Sequence, residues 1–291
     1  MIDLASLWEL FRHSIAALLV VGAGMPILGV FLFVRRAGFH GIVLPQCATT
    51  GLAVGYWVLP AWAGWAWRDG PSLRELLADP HHLEGYLQAW ALAGALVGAA
   101  LTHVARRTRG AEAAWLAALF AASIGATMAL RSRLPHAGEA IDAVLGGEVI
   151  LIDAHGLAIV SIAVVVAAAA VLAARRLLVV AVVSPELARL EGRRASLAEL
   201  SVTLATTLVI GVGVSIVGPY AAFSSLVIAP LAARRFVRSF RAFLWLSSAL
   251  GALAAIVGVV LAFGPLDLPL GPAVVLGATL SLAPYLVPRR G

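Results

Sequence analysis

The stretch Val217-Gly218-Pro219-Tyr220-Ala221-Ala222-Phe223-Ser224-Ser225-Leu226-Val227-Ile228-Ala229-Pro230-Leu231-Ala232-Ala233-Arg234-Arg235 is an apolar run opened by Gly-Pro and closed by arginines, with Arg238 and Arg241 just beyond. From Pro219 to Ala233 it has length for about 22 Å of helix, against the about 30 Å of a bilayer core. A helix this short, inside a chain that otherwise spans a membrane, must be shielded by protein or face a water-filled path. It therefore reads as a short pore helix, with Gly218, Pro219, Ser224, Ser225 and Pro230 as its candidate residues, rather than as a lipid-facing anchor.

The surrounding chain bears out the membrane premise. Of 291 residues, 62% are hydrophobic and only 12% charged, with a mean hydropathy of +0.97. The formal charge of +6 comes entirely from arginine, placed in pairs at the ends of apolar runs. Arginines so placed are topology signals rather than a phosphate-binding face, so no nucleic-acid partner is expected. The chain has no lysine, which excludes a Walker A loop, a Schiff-base enzyme and a retinal protein. One cysteine, Cys47, excludes an intrachain disulfide and a Cys-rich metal cage. The first apolar run, Ser14 to Val34, is too long for a signal core and is followed, not preceded, by its basic pair, Arg35-Arg36.

Long uncharged runs predict an all-α polytopic protein with about 8–9 spans. The runs are Ser14–Val34, Gly41–Pro60, Tyr86–Val104, Ala113–Leu130, Val149–Ala174, Leu200–Val217, the short Pro219–Ala233, Ala242–Gly264 and Leu270–Val287. Strict alternation then places sixteen arginines on one side and five on the other. The richer side is cytoplasmic by the positive-inside rule, leaving the N-terminus outside and the C-terminus inside a bacterial-type inner membrane. Alternation works only if the short run crosses. No fixed-period repeat appears, so residues 1–291 are expected to form one permease domain with membrane lipid around it.

Among the outer segments, Ala61–Gly85 carries Trp62, Trp65 and Trp67, which suits an interfacial belt. It and the polar Arg131–Glu148 stretch read first as solvated loops. Asp153 and His155, two apart near an outer span end, and Glu148 before them, read as interface solvation ahead of any role at a pore entrance. The largest cytoplasmic segment is 175–199. Within it Ser184 suits an N-cap, Pro185 the first helical position, Glu186 the positive end of the dipole and Gly192 a left-handed C-terminal turn. Leu187 and Leu190 share a face. Such a short helix either receives a push from an ATPase or lies on lipid headgroups.

Four segments resemble the zinc/manganese/iron family of metal ABC transporter permeases. They are Val182–Gly192, Ile216–Arg235, Leu268–Leu276 with its Gly-Pro-x-x-Val pattern, and Gly29–Gly55, which matches in its Arg-Arg pair, Gly41, Leu44, Gly51 and Gly55. The resemblance implies a homodimer or paired permeases around a central pore. It also implies two cytoplasmic ABC ATPase subunits that use ATP, and an extracytoplasmic solute-binding protein that delivers a divalent metal as transported substrate. The coupling role would fall to the Ser184–Gly192 helix. No cofactor is expected on this chain, nor any enzymatic activity of its own.

The chain departs from the family at one place. Where the family usually carries Gly-Asp-x-x-x-His in its second span, this sequence reads Gly41-Ile42-Val43-Leu44-Pro45-Gln46. An alkyl group and an amide do not suit divalent transition metals as a carboxylate and an imidazole do. Gln46, Thr49 and Thr50 remain as a polar stripe at i, i+3 and i+4, and with Ile42 they are the pore-lining candidates. Two readings stay open for the stripe: a neutral pore that hydrogen-bonds a hydrated or chelated solute, or helix–helix packing. Cys47 reads first as a small hydrophobe and second as a metal ligand. The cargo is accordingly expected to be a bare metal ion, with a metal chelate or other small solute as the alternative. An ATPase-independent secondary transporter or scaffold is the reading from a different class.

Overall fold

The computed structural model describes residues 4–35, 37–66, 80–106, 108, 111–134, 141–142, 152–183, 193–264, 266 and 268–286, and every regular element among them is helical. The elements are α1 (Leu4–Val34), α2 (His40–Ala66), α3 (Pro80–Ala105), α4 (Glu112–Ser132), α5 (Ala154–Val183) and α6 (Arg193–Phe223). A π-turn, Ser224–Ile228, leads into α7 (Ala229–Arg234), followed by α8 (Phe240–Phe263), α9 (Leu270–Leu280) and a 3₁₀ turn, Ala283–Leu286. Seven helical stretches are long and apolar enough to cross a membrane, and Leu270–Tyr285 is a shorter apolar one.

Small residues let the helices touch, in antiparallel and in parallel pairs. The Phe11 and Phe263 rings meet at 4.9 Å and Phe31 meets Phe240 at 5.4 Å, so α1 and α8 are antiparallel. Between α2 and α3, Gly51 lies on Gly94 and Gly98 on Cys47, again antiparallel. In lipid there is little hydrophobic drive between helices, so such close backbone approach supplies the packing energy. The Ile152 N–H donates to Ser14 Oγ at 3.2 Å and Gly24 faces Val164, which makes α5 parallel to α1. The chain therefore leaves α5 at the same end as Arg35. We term this the arginine end: Arg234 stacks on Phe33 there, with its guanidinium carbon 5.9 Å from the ring centroid, and Arg35 and Arg106 flank the buried His40.

The apolar stretch Leu200–Arg234 does not run as one rod. As a straight helix its 35 residues would reach about 52 Å, far beyond a bilayer core of about 30 Å. The first limb of α6 starts at the arginine end, nine residues after α5, and climbs away from it to bring Gly213 against Met25. Thirteen residues later Leu226 abuts Gly29, and then Ala233 joins a cluster with Val30. Both lie nearer the arginine end than Met25, so the chain has turned back. The turn is at Gly218, with φ 80 and ψ 163, a backbone region essentially restricted to glycine. Pro219 then starts the returning limb, where a missing N–H costs nothing.

The expected runs Leu200–Val217 and Pro219–Ala233 are thus the two limbs of one hairpin, closed at the single residue between them. The short run returns Arg234 to the end that holds Arg35, as alternation demanded.

Candidate translocation face

The site is built where α2 starts against the returning limb. Gly41 presents only a hydrogen to the Val227 side chain, so the first turn of α2 lies directly on the π-turn. From there Ile42 and Gln46, four residues apart, are partly exposed, while Val43, Leu44, Pro45 and Cys47 are buried. The open stripe continues along α2 through Thr50, Val54, Trp57 and Val58.

The returning limb has its own open stripe. Tyr220, Phe223, Val227, Leu231 and Arg234 keep partial or full exposure at spacings of three and four, one face of a helix. Gly218, Pro219, Ser224, Ser225 and Pro230 are all buried within the bundle. Ser224 donates to the Ala221 carbonyl at 2.9 Å, an internal bond that lets a hydroxyl be buried in an apolar core. Pro230 has no N–H for the Leu226 carbonyl four residues back, and that oxygen packs on Gly29, where any side chain would collide with it. The limb is thereby held tight against α1. The sequence named Ser224 and Ser225 among the candidates of the short pore helix; the 3.6-residue period of Tyr220, Phe223, Val227 and Leu231 was the signal for the open face.

Thr50 is partly exposed on the same stripe as Ile42 and Gln46, whereas Thr49 turns inward. Thr49 is buried and donates to the Pro45 carbonyl at 3.0 Å. Thr50 Oγ1 lies 3.0 Å from the Gln46 carbonyl, the Ser123 carbonyl and Thr127 Oγ1 alike. The Cys47 thiol is 3.4 Å from Ser123 Oγ. Thr50, Ser123, Thr127 and Cys47 thus form a polar knot that ties α2 to α4. Among the described residues no three His, Cys, Asp or Glu side chains assemble into a group able to hold a metal ion.

At the far end, Asp153 caps α5 by accepting from Gly156 N at 2.7 Å, and His155 beside it is exposed. Arg131 forms a two-pronged ion pair with Asp142, which anchors the segment carrying the buried Ile141. The coupling candidates Ser184, Pro185, Glu186, Leu187, Leu190 and Gly192, and also Glu148, lie outside the described residues.

A family model described as "ABC 3 transport family" matches residues 8–287. Among solved structures, the chain is similar to PsaBC from Streptococcus pneumoniae in complex with Fab, at a TM-score of 0.73 and 14% identity, covering 98% of this chain and 96% of that one. It is also similar to an inward-facing structure of a metal-chelate type ABC transporter, at a TM-score of 0.67 and 16% identity, covering 96% of this chain and 86% of that one. At such identities the likeness speaks for the fold.

Proposed function

The chain belongs to the ABC 3 transport family as a multi-pass membrane permease, and from that premise we propose that it imports a divalent transition metal, zinc, manganese or iron, handed over by an extracytoplasmic binding protein. Two copies, or this chain and a second permease, enclose the path. ATP is hydrolysed by cytoplasmic ABC subunits whose closure is passed on through Ser184–Gly192. The arginine end faces the cytoplasm.

The observation that carries this reading is the seating of Gly41 on Val227. It sets the open stripe of Ile42 and Gln46 beside that of Phe223, Val227 and Leu231, forming one continuous face left uncovered by the protomer. A second copy opposite this face completes a channel with mostly apolar walls. Movement of the returning limb relative to α2 opens or closes it. The test is reconstitution in proteoliposomes with the partner ATPase and binding protein: uptake and ATP hydrolysis should rise with zinc, manganese or iron. Hydrolysis and uptake indifferent to all three metals would reject metal as the cargo. An ATPase that fails to co-purify would point instead to an ATPase-independent carrier.

A second reading has its own support. Ile42 and Gln46 hold two of the open positions of α2, and neither is a ligand for a divalent transition metal. A cargo that keeps its own ligands, a metal chelate or another small solute, needs none from the wall.

A further inference from the structure

Contacts along the returning limb differ in kind. Leu226 packs on Gly29, Ala233 joins Val30, and Ile228 shares a buried cluster with Ala254 of α8 and Ala278 of α9. These hold by shape. One further contact is directional: the Tyr285 hydroxyl, in the C-terminal 3₁₀ turn, donates to Leu231 O at 2.7 Å. We propose that Tyr285 is a positioning residue of the translocation face, a latch that ties the arginine end of the limb to the C-terminal turn and so keeps Val227 seated on α2. The latch rests on reading the open face as the wall of the path.

The limb itself creates the need for this bond. In an unbroken helix Leu231 O would accept from Arg235 N, four residues on. That N–H turns to Ala232 O instead, at 3.4 Å, and leaves a carbonyl that calls for an outside donor. Tyr285 supplies it from 54 residues further along the chain. Its ring is set in place, with the guanidinium carbon of Arg235 5.0 Å from the ring centroid. The turn that carries it is fixed as well: Tyr285 N donates to Leu282 O at 2.8 Å, and Leu282 packs on the Ile228 cluster. Position on the limb gives the bond its leverage. Leu231 lies thirteen residues beyond the Gly218 turn and Val227 nine, roughly 20 Å and 13 Å of helix. A tie at the far end of a lever sets its angle more firmly than one near the pivot. Beside the bond, a cleft of about 360 Å³ lined by Leu231, Arg234, Arg235 and Tyr285 leaves the ring room to swing off the carbonyl.

The test is Tyr285→Phe, which keeps the ring and its place beside Arg235 and removes only the hydroxyl. The full-length chain is studied in lipid nanodiscs with two readouts. Amide hydrogen exchange over residues 229–236 should speed up about threefold or more, as the loss of one neutral hydrogen bond implies. Val227→Cys in a Cys47→Ala background should react with a water-soluble methanethiosulfonate about threefold faster when Tyr285→Phe is added, for the same reason. Fraying of the last turn alone would leave that second rate unmoved. Thr279→Val removes a hydroxyl of α9 that bonds within its own helix, to Val275 O at 2.7 Å, and should alter neither readout. Unchanged exchange in Tyr285→Phe overturns the latch. Faster exchange with unchanged labelling of the Val227 position overturns it too, because Tyr285 is then only a helix cap. Both readouts are independent of cargo and of ATP, so a failure of metal uptake and a failure of the latch are told apart.

Discussion

At the scale of single residues, Ile42 and Gln46 carry the question of cargo, because both stand at partly open positions of α2 and neither suits a divalent metal. If the wall is only a neutral lining for a metal, then Ile42→Asp with Gln46→His should raise uptake of the bare ion above the wild-type rate, measured with a radioactive metal in proteoliposomes. No gain, with transport of a chelate kept, favours a cargo that brings its own ligands. Thr50 makes the opposite case. Its hydroxyl lies within hydrogen-bonding distance of Ser123 and Thr127 on α4, so Thr50→Val should cost about 1 kcal/mol of stability in denaturant titrations of the detergent-solubilised chain. Transport per folded molecule should stay near wild type; a loss much larger than the stability change would return Thr50 to the pore wall. The sequence placed Gln46, Thr49 and Thr50 on one stripe by spacing alone. Spacing does not reveal which neighbour a hydroxyl meets, and α4 is about seventy residues away along the chain.

At the scale of elements, the hairpin of α6 and its returning limb is the distinctive piece. Gly218 is the one described glycine with positive φ, and the reversal hangs on it. Gly218→Ala should cost about 1–3 kcal/mol and lower the thermal midpoint, while Gly125→Ala, a helical site with open space around it, should be neutral or slightly stabilising. Gly29 tests the seat of the limb. A methyl there would collide with the Leu226 carbonyl, so Gly29→Ala should push the limb off α1 and lower transport more than Gly218→Ala does at equal folded yield. The Gly-Pro pair and the closing arginines were legible in the sequence as the bounds of a short helix. Its direction was legible too, because the arginines alternate only if the short run crosses, but its seat on α1 was not, because hydropathy and charge do not say which helix a limb packs against.

At the scale of the whole molecule, the arrangement is a helical bundle whose described basic residues gather mostly at one end. Single cysteines introduced into a Cys47→Ala background report its orientation. Cysteines at Thr108 and Arg238 should be labelled by an impermeant maleimide from the same side of oriented vesicles, and a cysteine at His155 from the opposite side. Labelling of Arg238 and His155 positions from one side would refute the folding back of the hairpin. By itself the sequence determined that the chain is all-helical, that it lies in a membrane, which runs form the helices and which arginines share an end. Those properties follow from local hydropathy and from charge, which each residue carries wherever it is placed. Only the tertiary structure decided that the short helix seats on α1 and on the start of α2, that its serines face inward, and that the Thr50 hydroxyl is engaged by α4. These depend on close approach between residues remote in the chain, Gly29 to Leu226 and Gly41 to Val227, where a contact of a few ångströms fixes the face each helix turns outward.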